Sequence, residues 1–240
     1  MKDDEKRSIE EDIADAVMER PYGFSVGRRH FFLFPVTMGK VYLLQRQIEN
    51  LEININLLTL NPSVEAVRLV KEKKDVCLTI IAYHTCKEKK ELFSKQTITM
   101  RKNLFAKELS DEELATLMIM VLTSDKTKQF IKYFGIDKEQ ERMRKVMAVK
   151  ETKNNISFGG KSMYGAMIDA ACERYGWSLD YVMWGISFTN LKMLLADKPS
   201  SIYVSDDELK KLPASVFVTS GSIKADGMEG REQIRNTDWR

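Results

Sequence analysis

Phe158-Gly159-Gly160-Lys161-Ser162 comes nearest to a phosphate-binding loop, because Gly-Lys-Ser ahead of a helix would set backbone amides and a lysine around phosphates. The pattern fails at its first glycine: Asn155 stands five residues before Gly160, and no apolar strand leads into the run. A glycine-rich linker feeding a helix capped by Ser162 accounts for the same residues. His30 and His84 are the only histidines, too few for a histidine-based metal or acid–base cluster. His84 reads instead as a packed or partly exposed helix residue. Cys77, Cys86 and Cys172 neither pair evenly nor fall at metal-ligand spacing, which fits a reducing compartment. Asp206 and Asp207 sit at a helix start, where carboxylates stabilise the macrodipole and need have no acid–base role. Arg28, Arg29 and His30 beside Phe31 and Phe32 have the makeup of a nucleic-acid surface, but a hairpin turn with its apolar face in the core explains them more simply. These residues assemble no convincing catalytic, metal or cofactor site, and residue chemistry alone does not reveal what the protein does.

What remains is a set of aromatic residues at helical spacing. Trp177, Tyr181, Trp184 and Phe188 recur at intervals of three and four, and Met193 and Leu194 follow. On a helix that starts after Ser178 they form one ridge, with Trp177 at the staple position before the cap. Such a ridge packs a helix pair, or it lines a groove that takes the apolar face of a partner's helix. These six residues are the candidate partner-binding set.

The elements that must position the ridge are legible in the punctuation around it. Ser162 starts a helix, Gly176 supplies the left-handed position that ends it, and Ser178 caps the next, so the run 162–197 reads as a helical pair joined at Tyr175-Gly176-Trp177-Ser178. Upstream, Ser8 with Glu11 reads as a capping box for a short acidic helix bearing Ile9, Ile13, Ala16 and Val17, stopped by Pro21 and Gly23. Phe24 to Pro35 reads as a β-hairpin turning near Gly27 and Arg28. Thr37 caps a helix from Met38 to about Asn50, and Asn61-Pro62 opens a long one running to about Lys90, with a solvated turn at Lys71, Lys73 and Lys74. Ser110 and Glu113 box a helix to about Leu122, a shorter one runs from about Lys126 to Phe134, and a charged helix after Asp137 grades into a linker at 154–160. Ser205 and Glu208 cap a last short helix, closed by Pro213.

The fold class is therefore mainly α: a helical domain with a small N-terminal β-hairpin, followed by a C-terminal helical pair. The expected divisions are an acidic helix or arm at 1–20, hairpin plus helical domain at 21–153, helical module at 154–212 and flexible tail at 213–240. With 240 residues, 43% of them hydrophobic, the chain has the means to bury a sizeable core. Its formal net charge is +3, but residues 1–20 carry eight acids against four bases, leaving the rest at +7. That bias is what lysine-rich solvated helix faces produce, so nucleic acid is not the expected partner. Thirteen methionines suit irregular packing or an adaptable binding surface. A charged start from Lys2 to Arg7 without an apolar run after it, and no stretch long enough to span a bilayer, predict a cytoplasmic protein away from the membrane.

Two stretches carry a family likeness. Phe31-Phe-Leu-Phe-Pro-Val-Thr-Met-Gly-Lys-Val-Tyr-Leu-Leu44, and onward to Asn54, resembles the strand-to-helix element near the start of tail assembly chaperone-like proteins of tailed bacteriophages, with Val36 and Met38 where that element has leucines. The Gly176-Trp177-Ser178 joint is similar to one in the C-terminal part of the same family. The resemblance implies a non-enzymatic cytoplasmic helical protein, without cofactor, that coats apolar helices of the tape measure protein while the tail tube polymerises. Its partners would be the tape measure protein and the tail tube protein, and the reading also admits a homo-oligomer. Two other readings stand beside it: a structural component of a phage particle or other large assembly, whose terminal segments order on docking, and a nucleic-acid-binding regulator using the lysine-rich helices.

Overall fold

The structure is a computed structural model that describes residues 3–150 and 160–217. In chain order, helix α1 (Asp3–Val17) is followed by strands β1 (Tyr22–Val26) and β2 (Arg29–Leu33). Then come α2 (Met38–Leu51), α3 (Ile55–Leu60), α4 (Pro62–His84), α5 (Lys89–Leu92), α6 (Lys95–Glu108), α7 (Asp111–Leu122), α8 (Thr127–Tyr133) and α9 (Ile136–Val149). The C-terminal part holds α10 (Met163–Tyr175), α11 (Leu179–Trp184), α12 (Phe188–Ala196), α13 (Asp206–Leu209) and a 3-10 turn at Ala214–Val216. The protein is mainly α, with one antiparallel hairpin, as the sequence pattern predicts.

The chain divides into two compact units. The first comprises residues 1–134 and 158–198, and the second residues 135–157 and 199–240. In the first, α4 is the central element. Asn61 accepts hydrogen bonds from the amides of Ser63 and Val64, and Pro62 takes the first helical position, where no amide donor is required. Leu69, Val70, Ile80 and Ile81 are buried against Leu114, Leu117 and Met118 of α7, Phe105 of α6 and Leu44 and Leu51 of α2. The lysine cluster in α4 coincides with a kink, where Lys73 leaves helical geometry at φ −130° and ψ 33°. Glu65, fully buried, accepts from the Asn54 amide at 2.8 Å and from Arg68 Nε at 2.9 Å, so its charge is compensated.

The hairpin closes this core from one side. Gly27 at φ 57° makes the turn, and Phe24 pairs with Phe31 across the strands. Both rings lie on Phe105, at 6.0 and 5.0 Å between centroids, while the alternate residue Phe32 faces outward.

Several local expectations change. α1 begins at Asp3, so Ser8 lies within the helix and caps nothing, and Val17, expected on the apolar stripe, is 66% exposed. The long helix stops at His84, well short of Lys90, because Thr85 to Glu88 bend away before the capping box of Glu88 and Glu91 starts α5. α3 and α6 are elements that the pattern did not announce. α6 buries only Ile98 and Phe105 out of fourteen residues, too few to mark a stripe.

The second unit contains α9, α13 and the 3-10 turn. The Ser205–Glu208 capping box forms as expected. Val216, placed by sequence at the start of a tail, is buried, and its carbonyl accepts from Arg142 Nε at 2.6 Å. The linker residues 154–159 and the tail from residue 218 lie outside the described residues.

Candidate functional site

The helical pair proves to be three helices. Gly176 takes φ 65° and ends α10, and the Ser178 hydroxyl accepts from the Tyr181 amide, both as expected. α11 then stops after two turns, and Ser187 caps a new helix by accepting from the Asn190 amide. The break is enforced from outside the segment. The Phe188 amide donates to the Val36 carbonyl at 2.6 Å, the Ser187 amide donates to Glu19 Oε1 at 2.7 Å, and Thr37 and Ser187 form an isolated β-bridge. Trp177, Tyr181, Trp184 and Phe188 therefore do not form one ridge on one helix. Tertiary hydrogen bonds to β2–α2 residues outweigh the helical periodicity of the sequence.

The six residues separate into distinct settings. Trp184 is half-buried and lies on α2, where a Cβ added to Gly39 would fall 2.4 Å from its ring. Phe93 meets the same ring edge-on at 5.6 Å, and Lys89 Nζ sits 5.5 Å from its centre. Trp184 is thus a wedge that joins α11 to the main core. Trp177 stacks on Tyr175 at 4.6 Å and meets Tyr181 edge-on at 5.1 Å, leaving Tyr181 43% exposed. Leu194 is 40% exposed next to this patch, its carbonyl accepting from the Tyr175 hydroxyl. Met193 is half-buried. Phe188 points elsewhere, stacking on Tyr164 at 6.5 Å and carrying Lys192 Nζ at 4.7 Å from its centre.

Phe188 belongs to a cleft of about 530 Å³ in the first unit. Its floor is apolar, from Phe34, Val36, Val41, Val121, Phe130 and Phe188. Its rim is ionic: Asp12 pairs with Lys126, and Asp125 with Lys192, each at 2.5 Å. Burial works to raise the Asp125 carboxyl, yet hydrogen bonds from Lys192 and Thr127 hold it below the usual carboxylate range. An apolar floor with paired charges at the margin suits an amphipathic ligand.

Behind the cleft lies a buried polar group from four elements. Burial lowers His84 to about 4, and its Nδ1 is 2.9 Å from the Ile80 carbonyl, so the ring is neutral and packed, as its place on the helix suggested. Burial also brings Lys40 down to about 8, and its ammonium sits 5.7 Å from the centre of the Phe34 ring. Arg101 holds Glu91, the Thr85 carbonyl and Cys86 Sγ. Cys77 is pushed up to about 11 by burial, which makes it a poor nucleophile. Among the described residues no three His, Cys, Asp or Glu side chains converge where they could hold a metal, and no helix is long and apolar enough to cross a membrane.

Of the residues that line the cleft, only Phe188 was among the candidates read from sequence. Its walls come from α1, both hairpin strands, the β2–α2 connection, α2, α4, α7, α8 and α12, which meet only through tertiary contact. No family model matches this chain, and no curated protein or solved structure matches it.

Proposed function

We propose that the chain is a non-enzymatic binding protein of the tail assembly chaperone kind, which covers apolar helices of a tape measure protein in the host cytoplasm until tail tube subunits replace it. The observation that supports this most is the open cleft with an apolar floor and an ionic rim, which matches the cross-section of an amphipathic helix better than that of a small polar substrate. An exposed aromatic patch at Tyr181 and Leu194 adds a second apolar surface.

Co-expression with a long helical reading frame from the adjoining genes tests the proposal. The client should remain soluble with the wild-type chain and aggregate with Met120→Asp, which sets a carboxylate on the half-buried cleft wall. A variant that keeps its thermal transition but still rescues the client would sink the cleft's role. Recovery of the chain in stoichiometric amounts from purified particles would replace chaperone with structural component.

A further inference from the structure

α1 differs from the other long helices of its unit in how it is held. α2, α4, α6, α7 and α10 each contribute at least one buried side chain. Between residues 7 and 17 of α1 none is buried: Ile9, Ile13 and Ala16 face inward but are covered only in part. The cleft of about 530 Å³ lies between this helix and the floor, with Asp12, Asp15 and Ala16 on its near wall. Where the cleft opens beside these residues, α1 lacks the dispersion contacts that fix core helices in place.

The polar attachments of the N-terminal segment to the body include three of one kind. The Tyr133 hydroxyl donates to Glu10 at 2.7 Å, Lys126 pairs with Asp12 at 2.5 Å, and past the helix end the Ser187 amide donates to Glu19 at 2.7 Å. Each bond places a carboxylate of the N-terminal segment on a donor of the body. Lys126 and Ser187 also line the cleft, so with the apolar floor they form a margin that reads an amphipathic helix carrying carboxylates along its edge. Exposed ion pairs of this kind contribute little to stability, so the margin selects its occupant without fixing it.

We propose that this cleft is the seat for a partner's amphipathic helix with an acidic margin, and that α1, which lies along one wall and narrows the seat, is displaced when the partner helix arrives. The inference rests on the reading of the chain as a helix-binding factor and adds where the client lies, what charge it carries and what narrows the site beforehand. Displacement costs only the weak seating of α1, so the apparent affinity for the client is lowered by the fraction of time that α1 is docked.

A synthetic peptide of residues 3–20, labelled with a fluorophore, supplies a probe that needs no identified client. It is titrated against the full chain and against the full chain carrying Ile9→Asp and Ile13→Asp, which loosen α1 and leave the floor and donors intact. The loosened chain is expected to bind the peptide about tenfold more tightly than wild type, as removal of an internal competitor requires. Adding Lys126→Glu should abolish that gain. Equal affinity of the two chains, or a gain untouched by Lys126→Glu, overturns the proposal. So does loss of cooperative unfolding in the loosened chain, since α1 would then be an integral wall. Client rescue in the co-expression assay does not depend on these outcomes, so the two readings fail separately.

Discussion

Along α4 and α7, Leu69, Ile81, Leu114 and Met118 are 0% exposed, whereas along α1 no residue from 7 to 17 is buried, although both stretches carry apolar residues at helical intervals. The difference lies in what each stripe meets. The α4 stripe is enclosed by helices from both sides in sequence and by the hairpin, while α1 borders a cleft with Asp12, Asp15 and Ala16, and its Ile9 and Ile13 are covered only in part. An apolar period records that a helix has a face to cover, and the density of the opposing surface decides how firmly that face is held. One region is densely packed, and the other has the sparse burial that goes with low local stability.

The contrast can be broken most strongly from the core side. Phe105 is fully buried and takes both hairpin rings, so Phe105→Ala should lose about 3–5 kcal/mol in urea unfolding, through lost transfer free energy and the cavity left behind. A loss below about 1 kcal/mol would show that the hairpin and α6 are as loosely seated as α1.

Gly39→Ala gives the next largest effect. The new methyl group would overlap the Trp184 ring at 2.4 Å, so α11 or the indole must move, at a cost of about 1–3 kcal/mol and with a shift in tryptophan emission. A neutral substitution with unchanged emission would show that Trp184 does not rest on α2, and would return it to the candidate partner-binding residues.

The fold was legible where the chain punctuates itself. Thr37, Asn61, Ser110, Ser162, Ser178 and Ser205 all start helices as their types predict, and Gly27 and Gly176 hold positive φ where turns require it. Such signals are local, and a side chain that caps its own helix needs no distant partner. The break between Trp184 and Phe188 was hidden because Val36 and Glu19, about 150 residues or more away, take the amides that a continuous helix would have used. The candidate site was legible only through Phe188 for the same reason: its other walls meet through tertiary contact. Lys126, Asp125 and Lys192 look like ordinary surface charges until they are seen paired around one cleft.

His84 offers the finest test of the contrast, since it ends α4 in the core and also lines the cleft. Burial lowers its folded value to about 4, and the nearby Lys40 acts in the same direction. The unfolded chain takes up its proton near the ordinary value of about 6.5, so between these two values the unfolded state binds more protons than the folded one. Stability should therefore be intact above about pH 6.5 and fall as pH drops through that window, by about 1 kcal/mol between about pH 7.5 and pH 5.5. Glu65, held below its usual range first by the hydrogen bond from Arg68, contributes stability above the ordinary glutamate value of about 4.5 and loses it only below that, outside the interval measured. His84→Gln should flatten the slope in urea titrations across that interval. An unchanged slope in the variant would mean that water reaches the ring through the cleft and that the boundary between firm core and loose seat lies deeper than His84.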